Sequence, residues 1–186
     1  MSLSVCAINT SPTDAQGQCE LGSAYHRGDG VQKDPAEAVK WLRKAAEQGH
    51  ADAQCLLGAM YHGGDGVQKD PAEAVKWFRK AAEQGNAGAQ LFLGFAYYDG
   101  AVQKDYAEAA KWFRKAAEQG NADAQYGLGC AYCVGNGVQK DYAEAVKWWR
   151  KAAEQGVADA QCALGSAYHD GDGVQKDYAE AVKWWR

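Results

Sequence analysis

Apolar residues recur along this chain at helical spacing, inside a stretch that is repeated almost letter for letter. The stretch reads G-V-Q-K-D-[P/Y]-A-E-A-V-K-W-[L/F/W]-R-K-A-A-E-Q-G and occupies residues 30–49, 66–85 and 137–156, with a near-copy at 101–120 and a cut-off copy at 173–186. In the first copy Ala38, Trp41, Leu42 and Ala45 fall on one side of a helix. The pattern predicts an amphipathic helix in each copy, and the fixed period predicts a repeat protein.

Sequence signals mark both ends of this helix. Asp34 and its counterparts stand where an N-cap belongs, and Glu37 and its counterparts follow three residues later. This spacing is typical of a capping box, in which each of the two side chains accepts a hydrogen bond from a backbone N–H of the first turn. Pro35 and Pro71 suit the first helical position. Gly49 and its counterparts suit the left-handed turn that ends a helix.

A helix of about three turns precedes this one in every repeat. In the second repeat it is predicted to run from Ala51 to His62, where a Gly-rich H-G-G-D-G stretch breaks it. Asn86 and Asn121 are suitable N-caps for the third and fourth repeats, whereas His50 and Val157 are weaker ones. The first helices of the second and fifth repeats are therefore expected to start less regularly.

The sequence thus predicts an all-α protein made of about five helix-turn-helix repeats. We place the repeats at residues 15–50, 51–86, 87–121, 122–157 and 158–186, the last of them truncated. The third is one residue shorter, in its loop. Residues 1–14 are interpreted as an N-terminal arm that is partly vector-derived.

Composition narrows the function only by exclusion. The formal net charge is −4 and the pI is about 5.6, which argues against a nucleic-acid surface. The start of the chain lacks the pattern of a signal peptide, and no segment is apolar for long enough to span a membrane. The chain is expected to be soluble. Its compartment stays open: cytoplasmic, or periplasmic or secreted if a leader was trimmed.

The six cysteines do not recur as a pair in each repeat, which favours a reducing compartment over a disulfide framework. Cys130 and Cys133 form a C-x-x-C inside a predicted helix, without the further ligands that zinc needs or the context of a redox motif. His26, His62 and His169 recur at one repeat position, which reflects copying of the repeat rather than a shared metal. We expect neither metal nor cofactor.

The repeated motifs resemble the Sel-1-like repeat, a relative of the tetratricopeptide repeat. The match consists of A-x-A-Q-x-x-L-G-x-x-Y, G-x-G-V, D-x-x-E-A-x-x-W and K-A-A-E-Q-G, recurs five times and covers residues 15–186. The resemblance implies antiparallel helix pairs stacked into a right-handed superhelix, an α/α solenoid. It also implies a bacterial scaffold or adaptor that binds proteins or peptides along its concave side.

A cysteine-rich branch of that family pairs Cys between neighbouring repeats, and some of its members are linked to penicillin binding or β-lactamase-like activity. The matching positions here hold Ala and Gln, such as Ala46 with Gln54, so the disulfides are not carried over. The chain contains no S-x-x-K, G-x-S-x-G or H-E-x-x-H. We therefore predict a protein that is not an enzyme, with a cell-wall or β-lactam hydrolase as the alternative.

The five repeats can be compared with one another. The second helices hardly differ. On a wheel of about 100° per residue, the first-helix positions that vary fall within one arc roughly 120° wide. A variable arc that aligns along a solenoid would form a strip for a peptide or partner protein; drift on a solvated face is the alternative. The residues that we predict to bind the partner are Cys55, Leu56, Ala59, His62, Leu91, Phe92, Phe95, Tyr98, Tyr126, Cys130, Cys133, Cys162, Ser166 and His169.

Two further expectations concern the frame. Gln18, Gln54, Gln90, Gln125 and Gln161 lie on the constant face, where a polar side chain needs partners, so we expect structural hydrogen bonds to a neighbouring helix end. The last repeat lacks K-A-A-E-Q-G and carries Trp184 and Trp185 near its end. End-to-end self-association through this repeat is a third functional hypothesis.

Overall fold

The computed structural model describes residues 12–101 and 103–186, which form ten α-helices and no strand. The all-α prediction is confirmed. The predicted arm at 1–14 falls outside the described residues as far as residue 11. Odd-numbered helices are the first helices of the repeats and even-numbered helices the second: α1 (Ala15–Arg27), α2 (Pro35–Glu47), α3 (Ala51–Gly63), α4 (Pro71–Glu83), α5 (Ala87–Asp99), α6 (Tyr106–Glu118), α7 (Ala122–Val134), α8 (Tyr142–Glu154), α9 (Ala158–Asp170) and α10 (Tyr178–Trp184).

The chain divides into two compact parts, an N-terminal part up to Ala89 and a C-terminal part, Gln90–Arg186. Each part has its own core of small residues around fully buried leucines. Leu42 and Leu57 serve the N-terminal part, and Leu93, Leu128 and Leu164 serve the C-terminal part. Alanines such as Ala38 and Ala45, both 0% exposed, let the helices approach closely. No helix in the described ranges is both long and apolar enough to cross a membrane.

The second helices begin at the predicted caps. The carboxylate of Asp70 accepts hydrogen bonds from the backbone N–H groups of Ala72 and Glu73, at 3.1 and 3.0 Å. The reciprocal half of the capping box is wrong. The Asp70 backbone N–H instead donates to the carbonyl oxygen of Tyr61, at 2.9 Å, and the Glu73 carboxylate pairs with Lys76. The Asp70 backbone N–H therefore joins the start of α4 to α3. The Glu73 side chain instead forms an ion pair with Lys76 in the next turn.

The first helices end where the Gly-rich loop begins. In α3 the C-cap is Gly64, with φ of 80°, so the helix extends one residue beyond the predicted His62. Asn86 and Asn121 cap their helices as predicted, and Val157 gives no side-chain cap. His50 does better than expected, because its Nδ1 accepts a hydrogen bond from the Ala53 N–H at 3.3 Å.

The buried glutamines tie neighbouring helices together, as predicted. Gln54 is 4% exposed. Its side-chain amide donates to the carbonyl oxygen of Ala46 at 3.0 Å, and its side-chain oxygen accepts from Gln84 at 2.7 Å. Gln125 makes the same pair of bonds in the C-terminal part. Each of these glutamines therefore links the end of the preceding repeat's second helix to the end of the second helix of its own repeat.

We expect Gln54→Leu to lower the free energy of unfolding by about 1–3 kcal/mol, because both hydrogen bonds are lost from a buried site. Urea denaturation followed by circular dichroism measures the loss. Gln161→Leu is the matched control, since Gln161 is half-buried and bonds to Ala153 at 3.2 Å. Its cost is expected to be about 1 kcal/mol or less. Equal costs at the two positions would contradict a role for burial.

Candidate functional site

The first-helix positions that vary among repeats form what we call the variable face. In α3 they are Asp52, Cys55, Leu56, Ala59, His62 and Gly63, and all of them are half-buried or exposed. The constant residues of α3 are buried, with the exception of Ala51, which is half-buried. The split that the sequence predicts between a packing face and a released face therefore exists in this helix.

The variable face of α5 carries the largest apolar side chains. Phe92 is 37% exposed and Phe95 is 41% exposed. Large apolar side chains on a packed helix would ordinarily be buried. Tyr98, one turn further, is half-buried. The three residues are spaced at i, i+3 and i+6, so their rings follow one side of the helix.

The rings of Phe95 and Tyr98 are held by neighbouring side chains. The Phe95 ring lies edge-on to Phe113 of α6, with ring centroids 5.1 Å apart. The Tyr98 ring lies edge-on to Tyr106 at 5.2 Å, and its hydroxyl accepts a hydrogen bond from Asn136 at 3.4 Å. The rings are thus oriented by the frame while part of their surface stays exposed.

Leu91 departs from the expectation that the variable face is accessible. Its side chain is only 8% exposed and belongs to a buried cluster that includes Phe113 and Leu128. The reason is geometric: Leu91 stands at the edge of the variable arc, next to the packing face. It can support a binding surface but presents little surface of its own.

In α7 the predicted residues are Tyr126, Cys130 and Cys133, and all are half-buried. They pack against a buried cluster around Trp149 and Leu164. Burial, together with a hydrogen bond to Cys130, raises the pKa of Tyr126 to about 12. Tyr126 therefore remains a neutral phenol at physiological pH, as suits an aromatic contact.

The pKa values of three of these cysteine thiols are raised, which makes the thiols less reactive. Burial, with a smaller contribution from Asp52, raises the pKa of Cys55 to about 11. Burial likewise raises the pKa of Cys130 and of Cys133. Because the thiolate is the nucleophile and the metal ligand, these cysteines behave at neutral pH as small apolar residues. Among the described residues, no three His, Cys, Asp or Glu side chains form a group that could hold a metal ion.

The predicted residues of α9 lie near the end of the described chain. Cys162, Ser166 and His169 are exposed, and the His169 ring lies edge-on to Tyr178 of α10, with centroids 5.2 Å apart. In α10 itself Val182 is 44% exposed, whereas its counterpart Val146 in α8 is 4% exposed. The last repeat therefore presents apolar surface on its second helix as well.

A cleft of about 360 Å³ opens on the variable face of the N-terminal part. Two predicted residues of α3, Leu56 and Ala59, line it, whereas Cys55 and His62 do not. Sequence comparison did not predict the contribution of α1 and of the loop after α3, because aligning the repeats does not show which residues of neighbouring repeats come together. The lining residues are Ser23, His26, Arg27, Leu42, Leu56, Ala59, Met60 and Asp65.

The cleft has a cause that can be read in the sequence. The residue that packs beneath each first helix is Leu42, Phe78, Phe113, Trp149 and Trp185 in successive repeats, so the first repeat has the smallest. Ser23, above Leu42, stands where the third repeat has Phe95. The space stays open because Ser23 and Leu42 are both smaller than the residues at the same positions of the third repeat.

The comparisons with known proteins agree with this architecture. The Sel1 repeat family model matches residues 15–50, 51–86, 87–121, 122–157 and 158–186. No curated protein matches the sequence significantly.

Several solved bacterial structures are similar. One is a protective antigen of uropathogenic Escherichia coli that displays an SLR fold, with 44% identity and a TM-score of 0.87, over 91% of this chain and 37% of the antigen. A Sel1 repeat protein of Oxalobacter formigenes has 42% identity and a TM-score of 0.86, over 92% of this chain and 71% of that protein. Helicobacter pylori cysteine rich protein B has 30% identity and a TM-score of 0.55, over 72% of this chain and 96% of that protein.

This chain thus spans little more than a third of the length of the Escherichia coli antigen. The solenoid fold class is confirmed by the helix pairs together with these structural matches. Five family matches cover nearly all of residues 15–186, and the chain belongs to the Sel1 repeat family.

Proposed function

We propose that this chain binds a partner protein through a peptide or helix that docks on the variable face of the first helices. Sel1 repeats generally serve as scaffolds for protein–protein interaction, and family members are generally non-catalytic. The proposed docking site is the variable face of the C-terminal part, on the concave side of the repeat array. Its anchors are Phe92, Phe95, Tyr98 and Tyr126.

One observation carries this proposal. Phe92 and Phe95 keep 37% and 41% of their surface exposed on a face whose counterparts in other repeats are mostly small, such as Ala59 and Cys130. Adjacent exposed aromatic rings are typical of an interaction surface rather than of a solvated one. Rings of this kind usually supply most of the binding energy of an interface.

The other predicted residues of the C-terminal part would form the rim of this site. Cys130, Cys133, Cys162 and Ser166 have small side chains, which leave room for a partner to pack against them. Leu91, which packs against Phe113 and Leu128, would hold α5 in place beneath the site. Self-association through α10 stays a separate prediction, since its exposed side chains belong to a second helix.

We expect Phe95→Ala combined with Tyr126→Ala to weaken partner capture by about thirtyfold or more, the cost of losing one strong anchor. A pull-down with the full chain, quantified by mass spectrometry, measures capture. Circular dichroism should show helical content near wild type, because both rings lie at the periphery of the core clusters.

The matched control is Tyr178→Ala combined with Val182→Ala, which removes two apolar side chains that are 57% and 44% exposed on α10. This control should capture the partner as the unmodified chain does. Unchanged capture by the Phe95 and Tyr126 variant would overturn the proposal. Loss of capture only in the α10 variant would place the binding surface on the last repeat.

A further inference from the structure

We infer that the cleft between α1 and α3 is a second binding site, which takes the phenyl ring of a phenylalanine on a partner peptide. The site lies in the N-terminal part and does not use the aromatic anchors proposed above. It extends the same general role, binding a protein partner, but stands on different observations.

The walls of the cleft suit a flat apolar ring. Leu42 and Met60, 1% and 4% exposed, form its floor, and Leu56 and Ala59 form the side contributed by α3. Ser23 closes the side contributed by α1 without filling the space. A cavity of about 150 Å³ is enough for benzene. A cleft of about 360 Å³ therefore has room for a ring and for the first atoms of the backbone that carries it.

The chain itself places a phenyl ring at the equivalent position in another repeat. By repeat alignment, Ser23 corresponds to Phe95, and Leu42 corresponds to Phe113. In the third repeat the Phe95 ring lies edge-on to Phe113, with 5.1 Å between centroids. A ring in the cleft would lie over Leu42 as Phe95 lies over Phe113. The third repeat thus indicates that the first repeat can accept a phenyl ring from a partner.

The charges at the rim favour a neutral occupant. Of the residues that line the cleft, His26 lies 2.9 Å from Asp65, and Arg27 lies 2.5 Å from Asp29 next to the cleft, so the basic side chains already have acidic partners. A carboxylate or an ammonium group would lose hydration on entering this apolar cleft, whereas a phenyl ring would not. A neutral ring leaves both pairs intact, and the polar rim can still hydrogen-bond to the amides of a peptide.

N-acetyl-phenylalaninamide is the probe that tests this site. In methyl NMR spectra of the full chain, it should shift the signals of Leu56, Ala59 and Met60 in a saturable way, with a Kd of the order of a millimolar for a ligand of this size. N-acetyl-alaninamide should leave these signals unchanged. Absence of a saturable shift with the phenylalanine probe would overturn the inference.

Ser23→Phe is the decisive variant, because it copies the residue of the third repeat into the first. The added ring should fill the cleft, keep the melting temperature at or above that of wild type and weaken the probe by about tenfold or more. Ser23→Ala should bind the probe normally. If the Ser23→Phe chain does not fold, Ala59→Leu fills the same space and must weaken the probe instead. Unchanged binding in the variant that folds would contradict the site.

Two comparisons separate this inference from its rivals. The chain with Phe95→Ala and Tyr126→Ala should bind the probe as wild type does, so failure of the first proposed surface leaves this one intact. Toluene should bind more weakly than N-acetyl-phenylalaninamide, because it lacks the amides that reach the rim. Equal or tighter binding of toluene would overturn the assignment to a peptide and indicate a site for free aromatic molecules.

Discussion

Gly137→Ala is expected to lower the free energy of unfolding by about 3 kcal/mol or more, from a strained backbone and a steric clash together. Gly137 has φ of 72°, in the region that side chains other than glycine rarely adopt. A Cβ there would lie 1.9 Å from the carbonyl oxygen of Tyr106, in the preceding second helix. Backbone atoms cannot rotate out of the way, so the two repeats would have to separate.

Gly30→Ala is the matched control for this prediction. Gly30 occupies the same repeat position with φ of 73°, but a Cβ at Gly30 would meet nothing within 4 Å. Only the backbone strain remains, which costs about 1–2 kcal/mol. Urea denaturation of both variants, followed by circular dichroism, measures the difference. Equal destabilisation would show that the contact between repeats contributes nothing.

The second large effect is expected for Gly129→Ala, in the middle of α7. A Cβ on Gly129 would lie 2.5 Å from the Trp149 ring and 3.1 Å from the carbonyl oxygen of Ala145. The free energy of unfolding should fall by about 1–3 kcal/mol, the usual cost of overpacking a core. Alanine is the better helix former, so the sign of this change is opposite to what helix propensity alone predicts.

Gly127→Ala, two residues earlier in the same helix, provides the control. The nearest atoms to a Cβ on Gly127 belong to Phe113 at 3.6 Å, an ordinary contact. Alanine should therefore stabilise α7 there by up to about 1 kcal/mol. Thermal and urea denaturation of the two variants should move in opposite directions. A stabilised Gly129→Ala chain would mean that Trp149 can move aside without cost.

The pair of glycines also shows how far sequence comparison reaches. Gly129 recurs in every repeat as the Gly of the L-G motif, and the structure confirms that close helix packing requires it there. Gly127 has no counterpart glycine in the other repeats and packs loosely. Internal comparison separated the two because copies that must fit the same frame keep the residues that the frame needs.

The candidate site was predicted less completely. Comparison of the first helices found Phe92 and Phe95 as variable residues, and both are exposed. It also selected Leu91, which is buried, because a helical wheel does not show how far a neighbouring helix extends across an arc. The cleft beside Leu56 was not predicted, since its walls come from two repeats and a loop.

By itself, the amino-acid sequence determined the helix pairs, the aspartate and asparagine N-caps and the face on which α3 packs, because these depend on spacing within one repeat. Only the tertiary structure decided where the cap N–H of Asp70 bonds, that Leu91 is covered, and that Ser23 and Leu42 leave a cleft beside Ala59. Each of these depends on atoms from two helices meeting at a particular distance. The spacing of residues along the chain fixes the side of a helix on which each side chain lies. Whether that side chain is in contact depends on the size of the side chains on the neighbouring helix.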